Sequence, residues 1–553
     1  MSISVIITAG GTAYDVSNYV MRHSIEIDEY LFSYDSLKPN TNKATLVLSR
    51  TCPNIDDILA ATGDILISIA NDGVTAFTGY VTENFGIDIT DHGMSDMAIT
   101  AEDPGIRLLK KPWASTGGLY TSLSGKKVCD AADALNSVVH IAAALAGVTV
   151  SASVVPVSNL VYFDVVDKDK KQYWDVLEKV LADYGYVFYF DGDGELCLFS
   201  LAGLTGTPSL VVRSDATILQ KEPGDKGIEL KKRFIQYGEV NVKYKEAETL
   251  SSAVVFRDTT NQGATDCDIT VSAGGYYPDS ADASTYAFID YFLEDGRDIL
   301  SVGSATEDFS YDSGITYEFT HLGKSARIRF YNPTGVALHI RKLKVTGSNV
   351  IAIKADSTMT SNEGGGKKLE YQADYLTANA DALSLANLLR YVYANSTSLY
   401  AFRSYHGVLY PSDTLYPSDT LYPLGDILTL GALVNLKDTL WTGLDVNCAI
   451  YRKKYLLGKA GATYEAMGIG TINLADVTVR TPIASVDTRP IVGLYPTEKA
   501  LATTSDTVDF DGQYGVYNGQ RYVGTMPNTW TLDDAGQTAS GVAALVPVYT
   551  PGY

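Results

Sequence analysis

The sequence predicts a mainly β chain: two related β-barrels, an inserted small α+β domain, an inserted β-sandwich and an extended C-terminal arm. Three observations carry this reading. Short β-branched runs separated by turn clusters recur through the first hundred residues. Tyrosine (38) and glycine (48) far outnumber tryptophan (4), a balance suited to strands and interfaces. A hairpin-like motif occurs twice, far apart in the chain. At 553 residues the chain exceeds the roughly 250–300 that one core sustains, so several domains are expected.

Ser2–Thr8, Ser24–Ile27, Lys43–Leu48, Ile65–Ile69 and Ile87–Thr90 read as strands of a first barrel over 1–110. Residues 111–225 read as the small α+β domain. Apolar residues from Val128 to Ala146 follow helical spacing and stop at Gly147. A second helix is expected from about Lys171 to Asp183, with Trp174, Leu177, Val180 and Leu181 on one face. Tyr186–Phe190 and Glu195–Phe199 flank Asp191-Gly-Asp-Gly194, a hairpin signal.

Residues 226–249 begin the second barrel, 250–350 form the sandwich, and 351–480 complete the barrel. Within the sandwich, Leu338, Ile340, Leu343 and Val345 alternate mostly at period two with polar residues. A helix is expected from about Asn379 to Tyr393, with Ala382, Leu385, Ala386, Leu389 and Val392 along one stripe. The repeated LYPSDT of 409–423 places proline where a central strand cannot form. Residues 481–553, rich in Gly, Thr, Asp and Tyr, read as an arm.

Composition narrows the chemistry. The net charge of −22 disfavours nucleic-acid affinity, which needs basic surface. No run approaches the roughly 20 apolar residues of a membrane helix. The first twenty residues lack the pattern of a secretory leader, so export by that route is not expected. Five widely spaced cysteines with no CxxC pair fit reduced thiols better than a disulfide framework.

Six scattered histidines offer no zinc spacing, and no nucleophile elbow or P-loop occurs. Asp191-Gly-Asp-Gly-Glu195 resembles a calcium loop, but Ala202 stands where the bidentate Glu belongs. The expectation is no catalytic residue, no cofactor and no metal. The aromatic strips Tyr276-Tyr277 and Tyr286–Phe292 could stack on sugars, though core packing explains them more simply.

The repeated motif is the decisive feature. Gly63-Asp64-Ile65-Leu66 precedes Phe77-Thr78-Gly79, and Gly425-Asp426-Ile427-Leu428 precedes Trp441-Thr442-Gly443. The glycine-to-glycine spacings are 16 and 18 residues. Each reads as a hairpin entered at Gly-Asp and closed by aromatic-Thr-Gly, and duplication explains the pair better than chance.

With Ala101-Glu-Asp-Pro104 closing the first barrel and the helix leading into Tyr184–Gly194, these motifs make the chain resemble the hub proteins of phage tail tips and baseplates. The resemblance covers roughly 1–240 and 365–480. It implies two hub β-barrels and a homotrimer of pseudo-six-fold symmetry, adapting a six-fold tail tube to a three-fold tip and forming a channel for genome passage. It implies a virion location after synthesis in the host cytoplasm. Implied partners are a tail tube or distal tail protein, a tape measure protein, and tip, spike or receptor-binding proteins, with DNA only in transit. The 250–350 block departs from the pattern and leaves open a cell-surface glycan or receptor role. A tail-associated cell-wall hydrolase is the third reading, and no motif supports it.

Overall fold

The computed structural model describes most of residues 3–469; its longest undescribed stretches there are 111–120, 214–227 and 412–428. Beyond 469 it describes 499–500, 514–517, 520–525 and 529–532. The chain is mainly β, as its composition predicts.

Twelve strands form the frame. The first six are β1 (Ile3–Ala9), β2 (Glu26–Tyr30), β3 (Lys43–Leu48), β4 (Leu66–Asn71), β5 (Val74–Val81) and β6 (Met97–Glu102). The second six are β7 (Leu210–Arg213), β8 (Ile228–Arg233), β9 (Ser398–Ser404), β10 (Leu433–Lys437), β11 (Asp445–Leu456) and β12 (Ala462–Gly468). Neighbours in the first set run β1-β4-β5-β6-β3-β2, and in the second β7-β10-β11-β12-β9-β8. Counted from its own first strand, each set has the same order. One orientation differs: β1 is antiparallel to β4, whereas β7 is parallel to β10.

Inward-turned residues from the strands of each set share one cluster, β8 adding only the partly buried Ile228. Val5, Ile7, Ile27, Leu46, Ile67, Phe77 and Ile99 are buried in the first set, and Val212, Phe402, Leu436, Cys448 and Tyr464 in the second. A flat sheet cannot bring one face of six strands into one cluster, so each sheet curls round its core. The two sheets merge where β2 pairs antiparallel with β11, from Glu26↔Leu456 to Tyr30↔Arg452.

Two elements sit between equivalent strands. Between β6 and β7 lies the α+β unit. Its helix Tyr173–Asp183 buries Trp174, Leu177, Val180 and Leu181 against the hairpin Tyr186–Phe190/Leu196–Ser200. The expected helix over 128–146 is corrected: Lys126–Cys129 is a strand, Ala131–Asn136 a 3-10 turn, and only Val138–Ala146 is α-helical. The Asp130 carboxylate accepts from Ala132 N and Ser137 Oγ accepts from His140 N, starting two separate turns. Leu135, on the expected apolar stripe, is 84% exposed.

Between β8 and β9 lies the sandwich. Its two long strands, Tyr237–Arg257 and Leu338–Asn362, pair antiparallel along their lengths. The sequence boundaries at 249/250 and 350/351 fall inside these strands. Their distal halves enclose a core with Val255, Ile289, Ile328, Phe330 and Val345. Their proximal halves bury Val240, Val242 and Tyr244 against Ala382, Leu385 and Leu389 of the helix Asn379–Asn395. One ribbon therefore serves the sandwich core at one end and the helix Asn379–Asn395 at the other. The skip in period two at Ile340–Leu343 is a β-bulge: Ser310 opposes Lys342 while Tyr311 opposes Ile340, leaving Arg341 extra.

Within 481–553 the described strands form a small sheet, Lys499–Ala500, Tyr514–Tyr517, Gln520–Thr525 and Thr529–Leu532. Tyr517 pairs with Gln520 and Tyr514 with Val523, so the second and third of these strands run antiparallel. Most of the 409–423 repeat lies outside the described residues; Tyr410–Pro411 pairs with Leu210–Val211.

Candidate functional site: the seam between the two barrels

Two short runs of opposite sign meet at the seam. The β2 run reads Glu26-Ile-Asp-Glu-Tyr30 and the facing β11 run Arg452-Lys-Lys-Tyr455-Leu456. Arg452 closes on Asp28 through Nε–Oδ1 at 2.8 Å and Nη2–Oδ2 at 2.7 Å, the bidentate geometry that suits guanidinium and carboxylate. Lys454 Nζ lies 2.7 Å from Glu26, and Tyr455 donates to Glu29 at 3.2 Å. Burial raises the pKa of Glu29, partly offset by Lys453 and Tyr455.

Behind the seam, Glu465 on β12 gathers three donors. Tyr451 donates at 2.6 Å, Arg452 Nη1 at 3.1 Å and Lys231 of β8 at 2.5 Å. Burial works to raise the Glu465 pKa, but Lys231, Tyr451 and Arg452 together hold it below the usual value. A carboxylate with this donor set ties β8, β11 and β12 together.

The first copy of the repeated motif supports this frame in two ways. A Cβ added to Gly79 of β5 would lie 2.3 Å from the Glu102 carbonyl oxygen of β6, so only glycine permits this strand approach. Phe77 is buried in the barrel core, while Gly63 holds φ +102° at the corner entering β4. Asp64 leaves the barrel to meet Arg107 at 2.7 Å. Arg107 also donates to the Gly147 carbonyl at 3.0 Å and lies 4.2 Å above the Tyr80 ring. Asp64 thereby fastens the barrel to the α+β unit. Gly425, Asp426, Trp441 and Gly443 lie outside the described residues; the described strands that follow the two segments are β10 and β11, the counterparts of β4 and β5.

Two buried aspartates join the remaining parts. Asp103 accepts from Asn42 N at 2.6 Å and Gly105 N at 2.9 Å, while Asn42 Nδ2 donates to the Phe190 carbonyl at 2.7 Å. Burial pushes Asp103 up to about 8 against those two amide bonds. Asp183 accepts from Lys179, Tyr371 and the amides of Asp374 and Tyr375 at 2.8–3.0 Å, tying the α+β helix to the segment that leads into the helix Asn379–Asn395. Burial raises its pKa, and these donors offset part of that.

No group of three or more His, Cys, Asp or Glu able to hold a metal occurs among the described residues. His140, His321 and His339 hydrogen-bond to Ser137, the Val302 carbonyl and Asp268. All five cysteines are buried and free; burial pushes the Cys129 thiol up to about 11 and Cys197 to about 12. Such thiols are poor nucleophiles. Sequence reasoning missed the seam itself. The signal was present in the opposed signs of 26–29 and 452–454, but it became visible only once β2 and β11 were known to pair.

No family model matches the sequence, and no curated protein matches it. Solved structures do. The 43 kDa tail protein of prophage MuSo2 from Shewanella oneidensis is 11% identical, with 84% of this chain and 98% of that one covered at a TM-score of 0.40. A tail protein from Neisseria meningitidis is 10% identical, covering 86% and 99% at 0.41. A prophage tail protein from Listeria monocytogenes is 9% identical, covering 86% and 97% at 0.39. All three are tail proteins.

Proposed function

We propose that this chain is a structural, non-enzymatic hub of a phage tail tip or baseplate, working as a homotrimer that adapts a six-fold tube to a three-fold tip around a channel for the genome. The observation that carries the proposal is the identical strand order of the two six-stranded sets. A chain that presents one barrel architecture twice gives six quasi-equivalent barrels in a ring of three copies.

The edge strands support a heterologous contact. In the first barrel, β2 spends its outer edge on β11. Among the described residues its counterpart β8 ends the sheet at the other side of the second barrel, and an edge strand is a template for pairing. The β8 sequence Ile228-Glu-Leu-Lys-Lys-Arg233 is basic at its end. In every copy β2 and β11 are already paired with each other, so a contact made by β8 joins it to a different surface of the neighbour. Repeated head-to-tail contacts of this kind close into rings. Excess negative charge suits a channel through which DNA passes without adhering. The tube or distal tail protein, the tape measure protein and the tip or spike are the partners this role requires.

The test is the native mass of the full chain, alone and with a tube partner. Three times the 59.6 kDa chain supports the ring. A monomer that persists at micromolar concentration with the tube partner present contradicts it.

A further inference from the structure

The outer face of the sandwich carries a row of rings and guanidinium groups that the hub role does not use. Strand Ser325–Tyr331 sends Ala326, Ile328 and Phe330 into the core and Arg327, Arg329 and Tyr331 outward. Tyr276 opposes Tyr331 on one side and Phe288 opposes Arg327. On the other side Glu318 opposes Arg329, with Thr316 and Thr320 beside Tyr331 and Arg327.

Rings and guanidinium groups pack on one another, with Arg329 also 5.6 Å from the centre of the Tyr276 ring. Tyr276 and Tyr331 stack with centroids 4.7 Å apart and planes 25° apart. Tyr286 lies 4.8 Å from the guanidinium carbons of both Arg327 and Arg329. Phe288 is 44% exposed, on a face where a solvated sheet would ordinarily place polar residues.

The two arginines differ. Arg329 is committed, with Glu318 at 2.6 Å, and Glu318 also accepts from Tyr286 at 2.7 Å. Arg327 makes no ion pair among the described residues, and its Nε is buried without a hydrogen-bond partner. Arg327 shares Glu318 with Arg329 only through longer-range attraction, so its guanidinium can still pair with an anion. Guanidinium recognises carboxylate by a planar fork, and tyrosine rings present apolar area with a polar rim.

We infer that this face binds a saccharide bearing carboxylate groups, a pyranose ring packing on the exposed Phe288, the chain continuing along the Tyr276–Tyr331 stack, and a carboxylate reaching Arg327 beside Phe288. The inference concerns the sandwich and stands apart from ring assembly.

The experiment uses the full chain and three soluble uronate polysaccharides (polygalacturonate, alginate and hyaluronan), with methyl-esterified polygalacturonate as the neutral control and a teichoic acid as the phosphate control. Binding to at least one uronate polymer is expected, weakened tenfold or more by Arg327→Gln and by Tyr331→Ala, with native mass unchanged in both variants. Esterification should weaken binding of polygalacturonate to a similar degree. Four outcomes overturn the inference: no binding to any uronate polymer, equal binding to the ester, binding to the teichoic acid alone, or binding indifferent to both substitutions. None of them bears on the hub reading, which the native mass decides.

Discussion

Arg452 and Asp28, 424 residues apart in the sequence, form the two-pronged ion pair that stitches the second barrel to the first. Both side chains are largely buried, at 26% and 15% exposure. Removing one partner strands a desolvated charge, and hydrogen bonds to charged groups contribute about 1.5–3 kcal/mol. Asp28→Asn and Arg452→Met are each expected to lower stability by about 2 kcal/mol in urea unfolding. The double variant should lose clearly less than the sum, because the partners share one interaction. Additive losses would show that the two residues act separately.

The glycines of the first motif should respond differently. Gly79→Ala places a methyl group against the Glu102 carbonyl, and relieving that contact must part β5 from β6. A loss of about 3 kcal/mol, the upper end for overpacking, is expected. Gly63→Ala meets open space and bears only the left-handed backbone cost of about 1–2 kcal/mol. Thermal unfolding of the two variants side by side checks the order, and a larger loss at Gly63 would reverse the account of the motif.

Asp103 supplies a pH dependence whose sign is fixed by its raised pKa, about 8. Between the ordinary carboxylate value and about 8, the folded chain holds a proton that the unfolded chain has released. Stability therefore falls as pH rises through that window. Asp103→Asn removes the titrating group, so its unfolding free energy should change less between pH 5 and pH 8 than that of the parent. Equal slopes would mean that Asp103 is ionised throughout. Glu465 acts in the opposite sense and at lower pH: its depressed pKa contributes stability that is lost as pH falls below the usual carboxylate range.

The sandwich ribbon makes a prediction about excision. Ser252 pairs with Ser348, so joining these residues through Asn-Gly should close a hairpin and leave the proximal ribbon packed on the helix Asn379–Asn395. The shortened chain is expected to keep the parent's stoichiometry in native mass measurements and to lose saccharide binding. Loss of assembly would place a ring contact in the sandwich.

Local patterns were the legible part of this sequence. The hairpin at 186–200 and the helix 379–395 follow from turn residues and a 3.6-residue stripe, because short-range physics alone fixes them. The split of 128–146 was missed because Val128, Ala131 and Ala132 fit a helix as well as a strand and turn; Asp130 and Ser137 as caps decide between them. The boundaries near 250 and 350 were obscured because a two-sided ribbon continues the same β pattern through both units. The β2–β11 seam was illegible for a different reason: its charges become complementary only through a pairing more than 400 residues distant. The candidate saccharide face was half visible as tyrosine strips, but Arg327 and Arg329 join those rings only across a sheet.

Three copies are proposed to supply six quasi-equivalent barrels to one ring. End-on electron-microscopy averages of the assembled full chain, computed without imposed symmetry, test it most directly. The account predicts six barrel densities around a central channel, with three sandwich densities outside or along it. A particle with one barrel pair, a ring of any other count, or no channel would contradict it.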